Sequence, residues 1–140
     1  MEKIDRALFF ETLRVMIIED DEGMQNAMRY LVREMGVKDI RHATDGQKAI
    51  EKFQSEPGWE PSVIICDLHM EGMDGLEFTN LVRRGKADIH SKTPVMIATG
   101  DHDSLLHEVA QQIGACSVIL KPFTSKDFRQ TFVAAAARTL

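Results

Sequence analysis

Carboxylate, hydroxyl and ammonium side chains follow four short apolar runs of this sequence. They are Glu19 and Asp20 after the first run, Asp67 after the third, Thr99 after the fourth and Lys121 after the fifth. In open α/β sheets, ligands bind beyond the carboxyl ends of the strands, near the point where the strand order reverses. If these runs are neighbouring parallel strands, their polar side chains converge at one edge of the sheet.

Several carboxylates at one edge of a sheet predict a divalent cation. Two carboxylates about 4 Å apart repel each other by about 4 kcal/mol at an effective dielectric constant of about 20, and a cation relieves that repulsion. Oxygen ligands without a convergent His or Cys suit Mg²⁺, which is commonly held by one or two carboxylates and a substrate phosphate. The adjacent Asp21 and Glu22 have a simpler interpretation as the cap and first-turn charge of the following helix.

The same set of residues predicts phosphoryl transfer. A carboxylate at a buried edge beside a metal can attack phosphorus, which makes Asp67 the candidate nucleophile. Lys121 would offset negative charge on the phosphoryl oxygens, and Thr99 would donate a hydrogen bond to them. Neither Lys121 nor Thr99 is specific alone. The order of acidic pair, Asp, Thr and Lys-Pro along the chain gives the prediction its weight.

Five apolar runs supply the strands that would position these residues. They span residues 14–18, 39–42, 63–66, 94–98 and 117–120. Four are continuous and rich in Val and Ile, which is typical of strands covered on both faces of a parallel sheet. The second run is polar and alternating, so we place it at an edge.

Segments with helical periodicity separate the runs. Asp45, Asp74 and Thr124 precede such segments as N-cap residues, and Gly36 and Gly114 follow others as helix stops. Strict alternation of strand and helix predicts a doubly wound α/β sandwich. Residues 1–12 stand outside the alternation as an N-terminal extension, expected to form a helical turn or packing arm on a domain spanning residues 13–140.

The composition excludes several classes of function. The 140 residues carry 22 acidic and 17 basic side chains, and the net charge of −5 argues against direct nucleic-acid binding. No run approaches the roughly 18–20 apolar residues of a membrane span, and the first residues lack a signal-peptide core. Cys66 and Cys116 lie in apolar runs, as small hydrophobes of a reducing compartment do. We expect a single cytoplasmic domain.

One basic cluster interrupts this acidic chain. It consists of Arg83, Arg84 and Lys86, and it follows a segment with helical periodicity. Clustered basic residues at such a place are usually solvated. We therefore interpret the cluster as an exposed helix end.

The motifs together resemble the receiver domains of two-component response regulators. The matching segments are Val-Met-Ile-Ile-Glu-Asp-Asp at 15–21, Ile-Ile-Cys-Asp-Leu-His-Met at 64–70, Gly-Met-Asp-Gly-Leu-Glu at 72–77, Val-Met-Ile-Ala-Thr-Gly at 95–100 and Gly-Ala-Cys-Ser-Val-Ile-Leu-Lys-Pro-Phe-Thr at 114–124. The resemblance covers residues 13–138. It implies a flavodoxin-like fold with a five-stranded parallel sheet in the order 2-1-3-4-5.

The resemblance also implies a role for each residue of the site. Asp67 would accept a phosphoryl group from a phosphohistidine of a sensor kinase or phosphotransfer protein, and an aligned water would later remove it. Thr99 would move toward the acyl phosphate and Lys121 would pair with it. Mg²⁺ would be held by Glu19, Asp20, Asp67 and the backbone carbonyl of His69.

A receiver of this kind signals by protein–protein contact. The resemblance implies an output face on the fourth helix, the fifth strand and the fifth helix of the alternating pattern, which could also support a homodimer. The chain would act alone, or it would be a receiver taken from a larger regulator or a hybrid kinase.

Three positions depart from the common receiver pattern. Val118 stands where an aromatic residue is frequent, so coupling to the surface would rest on Thr99 and loop movement. Glu71 stands where proline is frequent, which predicts a less rigid loop. His69 and Asp101 would flank the pocket, and His69 would be either a pH-sensitive modulator or an exposed residue that contributes only its carbonyl.

Two other functions share this chemistry or this architecture. Mg²⁺-dependent phosphohydrolases also form an aspartyl phosphate, but they usually place the nucleophile after the first strand in an Asp-x-Asp pattern, where this chain has Glu19-Asp20-Asp21. A flavin-binding module would need a phosphate cradle at that position, and an acidic stretch repels phosphate. Both alternatives are disfavoured.

Overall fold

Five parallel strands form one sheet in the computed structural model, which describes residues 5–140. The strands are β1 (Arg14–Ile18), β2 (Asp39–Ala43), β3 (Val63–Asp67), β4 (Val95–Thr99) and β5 (Ser117–Leu120). Their order is β2-β1-β3-β4-β5, which confirms the flavodoxin-like α/β fold and the edge position of the polar second strand. Asp67 and Thr99 are the last residues of β3 and β4, whereas the sequence predicted that they directly follow these strands.

Six helices of the described residues cover the sheet. They are α1 (Arg6–Thr12), α2 (Glu22–Glu34), α3 (Gly46–Ser55), α4 (Gly75–Arg83), α5 (Ser104–Ile113) and α6 (Ser125–Ala137). The predicted caps are confirmed, because the side chains of Asp45, Asp74 and Thr124 accept backbone hydrogen bonds at the starts of α3, α4 and α6. Gly114 ends α5 with a φ of 127°, a conformation that favours glycine.

The pleat of the strands divides the core into two layers. In β1, Val15 and Ile17 face a layer formed with α1, α2 and α6, whereas Met16 and Ile18 face a layer formed with α3, α4 and α5. Successive side chains of a strand point to opposite faces, so one continuous apolar run fills both layers. The sheet is therefore buried on both faces, and only its edges and strand ends are available for chemistry.

The N-terminal extension contributes a helix to one of these layers. Residues 6–12 form α1, capped by Asp5, and Phe10 is buried with its ring stacked 6.4 Å from that of Phe132 on α6. The part of the predicted extension at residues 1–4 lies outside the described residues. Within residues 5–140, no helix is long and apolar enough to cross a membrane.

The basic cluster at the end of α4 is only partly solvated. Arg84 and Lys86 are exposed, as the sequence predicted, but Arg83 is half-buried and that part of the prediction is wrong. Its guanidinium donates hydrogen bonds to the carbonyl of Gly114 at 3.0 and 2.8 Å, to that of Ser91 at 2.9 Å and to that of Thr93 at 2.7 Å. Burial lowers the pKa of Arg83 from its ordinary value. The side chain thus fastens the end of α4 to the segment that precedes β4 and to the end of α5.

We expect Arg83→Leu to lower the free energy of unfolding by about 3 kcal/mol, because three backbone carbonyls lose a charged donor. Urea-induced unfolding measures the change, and Arg84→Leu is the matched control, expected within about 0.5 kcal/mol of wild type. Equal losses for the two variants would contradict the role assigned to Arg83.

Candidate functional site

Three carboxylates meet beyond the carboxyl ends of β1 and β3. Glu19 and Asp20 directly follow β1, and Asp67 ends β3. One ligand oxygen from each of Glu19, Asp20 and Asp67 lies within 4.8 Å of the others. Glu19 and Asp67 are 2% and 8% exposed, whereas Asp20 is exposed to solvent. The parallel register of β1 and β3 creates this cluster because it brings the ends of both strands to the same edge.

Lys121 supplies positive charge to this cluster. Its Nζ donates a hydrogen bond to Glu19 Oε1 at 2.5 Å and lies 3.2 Å from Asp67 Oδ2. Burial opposes the charge on Lys121, but the hydrogen bond to Glu19 and the charge of Asp67 outweigh it, and its pKa lies above the ordinary value. The ammonium group therefore stays protonated and bridges the ends of β1, β3 and β5.

One lysine does not balance three carboxylates. Burial raises the pKa of Glu19 from 4.5 to about 7, because the lowering effect of the Lys121 hydrogen bond is insufficient and the charge of Asp67 adds to the rise. The site thus lacks positive charge, and its donors are all oxygens. Both properties fit a hard divalent cation such as Mg²⁺.

Space for an incoming group lies beside this cluster. A solvent-open hollow of about 450 Å³ is lined by Glu19 and Asp20 together with polar side chains of α2 and of the β2 region, among them Gln25, Asn26, Arg29 and His42. Gln25 is 7% exposed, although it is polar. The open hollow gives solvent and ligands access to the acidic residues from the β2 side.

Thr99 is placed at the same edge by β4. Thr99 is fully buried. The residue before it, Ala98, pairs with Asp67 of β3 in the parallel register. The Thr99 carbonyl accepts a hydrogen bond from the Lys121 backbone N–H at 2.8 Å, and its Oγ1 accepts one from the Asp101 N–H at 3.1 Å. Within residues 5–140 the Thr99 hydroxyl donates no hydrogen bond, so its hydrogen is available to a ligand.

Asp21 has the simpler role that the sequence suggested for it. Its side chain caps α2 by accepting a hydrogen bond from the Met24 N–H at 2.8 Å, and Glu22 lies in the first turn of that helix. The Asp21 N–H in turn donates to Glu19 Oε2 at 3.2 Å. Of the acidic run at residues 19–22, only Glu19 and Asp20 belong to the cluster.

The loop after Asp67 depends on a glycine that the sequence analysis did not single out. The Gly75 N–H donates to the carbonyl of Leu68 at 2.9 Å, and a Cβ at Gly75 would lie 2.3 Å from the carbonyl oxygen of Asp67. Such a contact is far too short for a side chain. Gly75 therefore allows the start of α4 to lie directly against the end of β3. In the sequence, the position of Gly75 directly after the cap residue Asp74 was the feature that could have indicated this role.

His69 and Asp101 join the two loops that border the site. His69 is exposed, and its Nε2 donates to Asp101 Oδ2 at 2.7 Å. Asp101 Oδ1 accepts a second hydrogen bond from the Asp103 N–H at 2.9 Å. The pKa of Asp101 is lowered, first by the hydrogen bond from Asp103 and then by that from His69. The predicted position of both residues beside the site agrees with this contact.

The fold and the acidic site together define a class of protein, and comparisons with known proteins identify it. The family model of the response regulator receiver domain matches residues 15–133. The chain therefore belongs to the response regulator receiver domain family. The match begins after α1, so the N-terminal helix lies outside the part that the family shares.

Individual relatives agree with this assignment. A Rhizobium etli protein described as a probable chemotaxis protein CheY is 30% identical over 114 residues, which are 81% of this chain and 84% of that protein. A protein from Chloroflexus aurantiacus described as a response regulator has a similar structure, with a TM-score of 0.79, 22% identity and coverage of 90% of this chain and 98% of that chain. The chemotaxis protein CheY4 of Vibrio cholerae gives a TM-score of 0.73, 24% identity and coverage of 91% and 98%. The two structures establish the similarity of the fold.

We expect Gly75→Ala to lower the free energy of unfolding by about 2–3 kcal/mol, because the added methyl group forces α4 away from β3. Thermal or urea unfolding measures this loss. Gly58→Ala serves as the control, since no atom lies within 4 Å of the Cβ it would add. If both variants unfold like wild type, the close approach at Gly75 is not a constraint on the fold.

Proposed function

We propose that this chain is a phosphoacceptor switch of a two-component or phosphorelay system. It would take a phosphoryl group from a sensor histidine kinase or a phosphotransfer protein onto Asp67, with the help of Mg²⁺. The observation that carries this proposal is the position of Asp67 at the end of β3, within one cluster of carboxylates and 3.2 Å from the Nζ of Lys121. The family assignment supports it, because the aligned segment contains the whole cluster.

The transfer begins with an attack by a carboxylate oxygen of Asp67 on phosphorus. An O–P bond forms and the P–N bond of the phosphohistidine breaks, and the imidazole leaves with the electron pair. Lys121 would pair with the phosphoryl oxygens, and the free hydroxyl hydrogen of Thr99 would be donated to them. The signal ends by hydrolysis: water attacks phosphorus, the bond to Asp67 breaks, and inorganic phosphate is released. The chain acts on itself in both steps and has no separate substrate to turn over.

Mg²⁺ would be held by the carboxylates of Glu19, Asp20 and Asp67 and by the backbone carbonyl of His69. Bound there, it would supply positive charge that offsets the carboxylates and the phosphoryl oxygens. One oxygen of each side chain lies within 4.8 Å of the others, and oxygens are the donors that Mg²⁺ prefers.

Output would pass through a protein–protein contact on the face formed by α5, β5 and α6, the helix–strand–helix face expected from the sequence. Leu105 on α5 and Leu120 on β5 are 66% and 38% exposed there. Each of these apolar side chains is therefore accessible to a partner. The same face could support a homodimer, and a cytoplasmic location would suit a partner kinase.

The first test is intact mass spectrometry after incubation with acetyl phosphate and Mg²⁺. We expect one phosphoryl adduct on the wild-type chain, which decays with time, and none on Asp67→Asn, which is nearly isosteric but lacks the nucleophilic oxygen. Chelation of the metal should also prevent the adduct. An adduct of equal size on Asp67→Asn would show that another residue accepts the group.

A second test measures the metal site by isothermal titration with MgCl₂. We expect Asp20→Asn to weaken Mg²⁺ binding by about 1–2 kcal/mol, or about tenfold or more, because it removes one negatively charged ligand. Glu22→Gln is the matched control, since it removes one charge from the same acidic run but not from the cluster. Equal weakening by both variants would mean that only general charge attracts the ion.

A further inference from the structure

Asp101 connects three parts of the molecule around the acidic site. Its backbone N–H donates to Thr99 Oγ1 at 3.1 Å, and its Oδ2 accepts from His69 Nε2 at 2.7 Å on the loop that follows Asp67. Its carbonyl oxygen accepts a hydrogen bond from Nε2 of His107 at 2.5 Å. The first two bonds lie at the site, and the third reaches helix α5.

His107 is well placed to carry movement because of the way in which α5 is held. Among the ten residues of α5, only Ala110 is fully buried, and Leu105 is two-thirds exposed. A helix with so few buried side chains can shift at low cost. His107 itself is half-buried and ties the second turn of α5 to the Asp101 carbonyl.

The other end of the connection can also move. Thr99 is fully buried, so a displacement of its side chain toward Asp67 has to pull on the residues that follow it. Gly100, the next residue, is exposed and meets no atom within 4 Å of where a Cβ would be. Movement of Thr99 is therefore passed to Asp101 by the chain and by the Asp101–Thr99 hydrogen bond.

We propose that His107 is a positioning residue that couples helix α5 to the phosphorylation state of Asp67, through its hydrogen bond to the Asp101 carbonyl. This inference rests on the proposed function. When the Thr99 hydroxyl moves to the phosphoryl group, Asp101 moves with it. The hydrogen bond between His107 and the Asp101 carbonyl then moves the start of α5. Val118 of β5 has no hydrogen-bonding side chain, and the path through His107 supplies a polar side-chain link from the site to α5.

The test is amide hydrogen exchange of residues 104–113 before and after acetyl phosphate and Mg²⁺, with the adduct quantified by intact mass in each sample. We expect exchange in wild-type α5 to change by about fivefold on phosphorylation, within the usual range of coupling between two sites. In His107→Leu and His107→Met, which lack a donor, the change should disappear while the adduct forms to the same extent. His107→Gln should restore it, because its Nε2 can still donate.

His102→Leu is the control, since His102 lies exposed in the same loop. A full response of α5 in both donor-less variants, at equal adduct, would overturn the role of His107. A loss of response in His107→Gln as well as in the donor-less variants would also overturn it, because the imidazole would then act by packing. Failure of the wild-type chain to form any adduct is a separate result. It would overturn the proposed function, and the coupling with it.

Discussion

Three carboxylates that repel one another are held together by one lysine, and the rest of this structure depends on that constraint. Glu19 and Lys121 lie 102 positions apart in the chain, yet Nζ of Lys121 is 2.5 Å from Glu19 Oε1. Only a parallel sheet with β1, β3 and β5 ending at one edge brings these groups into contact. Burial of the apolar strands stabilises the fold. That stability offsets the unfavourable burial of a cluster of charges.

The same arrangement explains how a local chemical event could alter a distant surface. The charged groups of the site stand at the ends of three strands, β1, β3 and β5, and each of these strands is followed by a helix. A new charge at Asp67 therefore acts on several loops at once through groups that are already close to their partners. The loop after β4 contains the exposed Gly100 and leads into α5, in which Ala110 alone is fully buried.

Most of the fold and the core of the site could be predicted from the sequence, because both depend on local patterns. Continuous Val and Ile runs mark strands buried on both faces, and an acidic, hydroxyl or basic residue at each strand end marks the functional edge. The interactions that were missed depend on three-dimensional proximity. Arg83 belongs to a basic cluster in sequence, and only the packing of α4 against the end of α5 and the segment before β4 shows that it binds three carbonyls. The need for Gly75 and the bond from His107 to Asp101 likewise depend on distances that no pattern records.

Unfolding of wild type and Asp67→Asn, each with excess chelator and then with saturating Mg²⁺, tests the account most directly. If repulsion among the carboxylates dominates the site, Asp67→Asn is more stable than wild type without metal and gains less stability when Mg²⁺ is added. The account would be contradicted if Asp67→Asn were less stable without metal and gained as much from Mg²⁺ as wild type. Asp67 would then act as a structural partner of Lys121 and contribute neither strain nor a metal ligand.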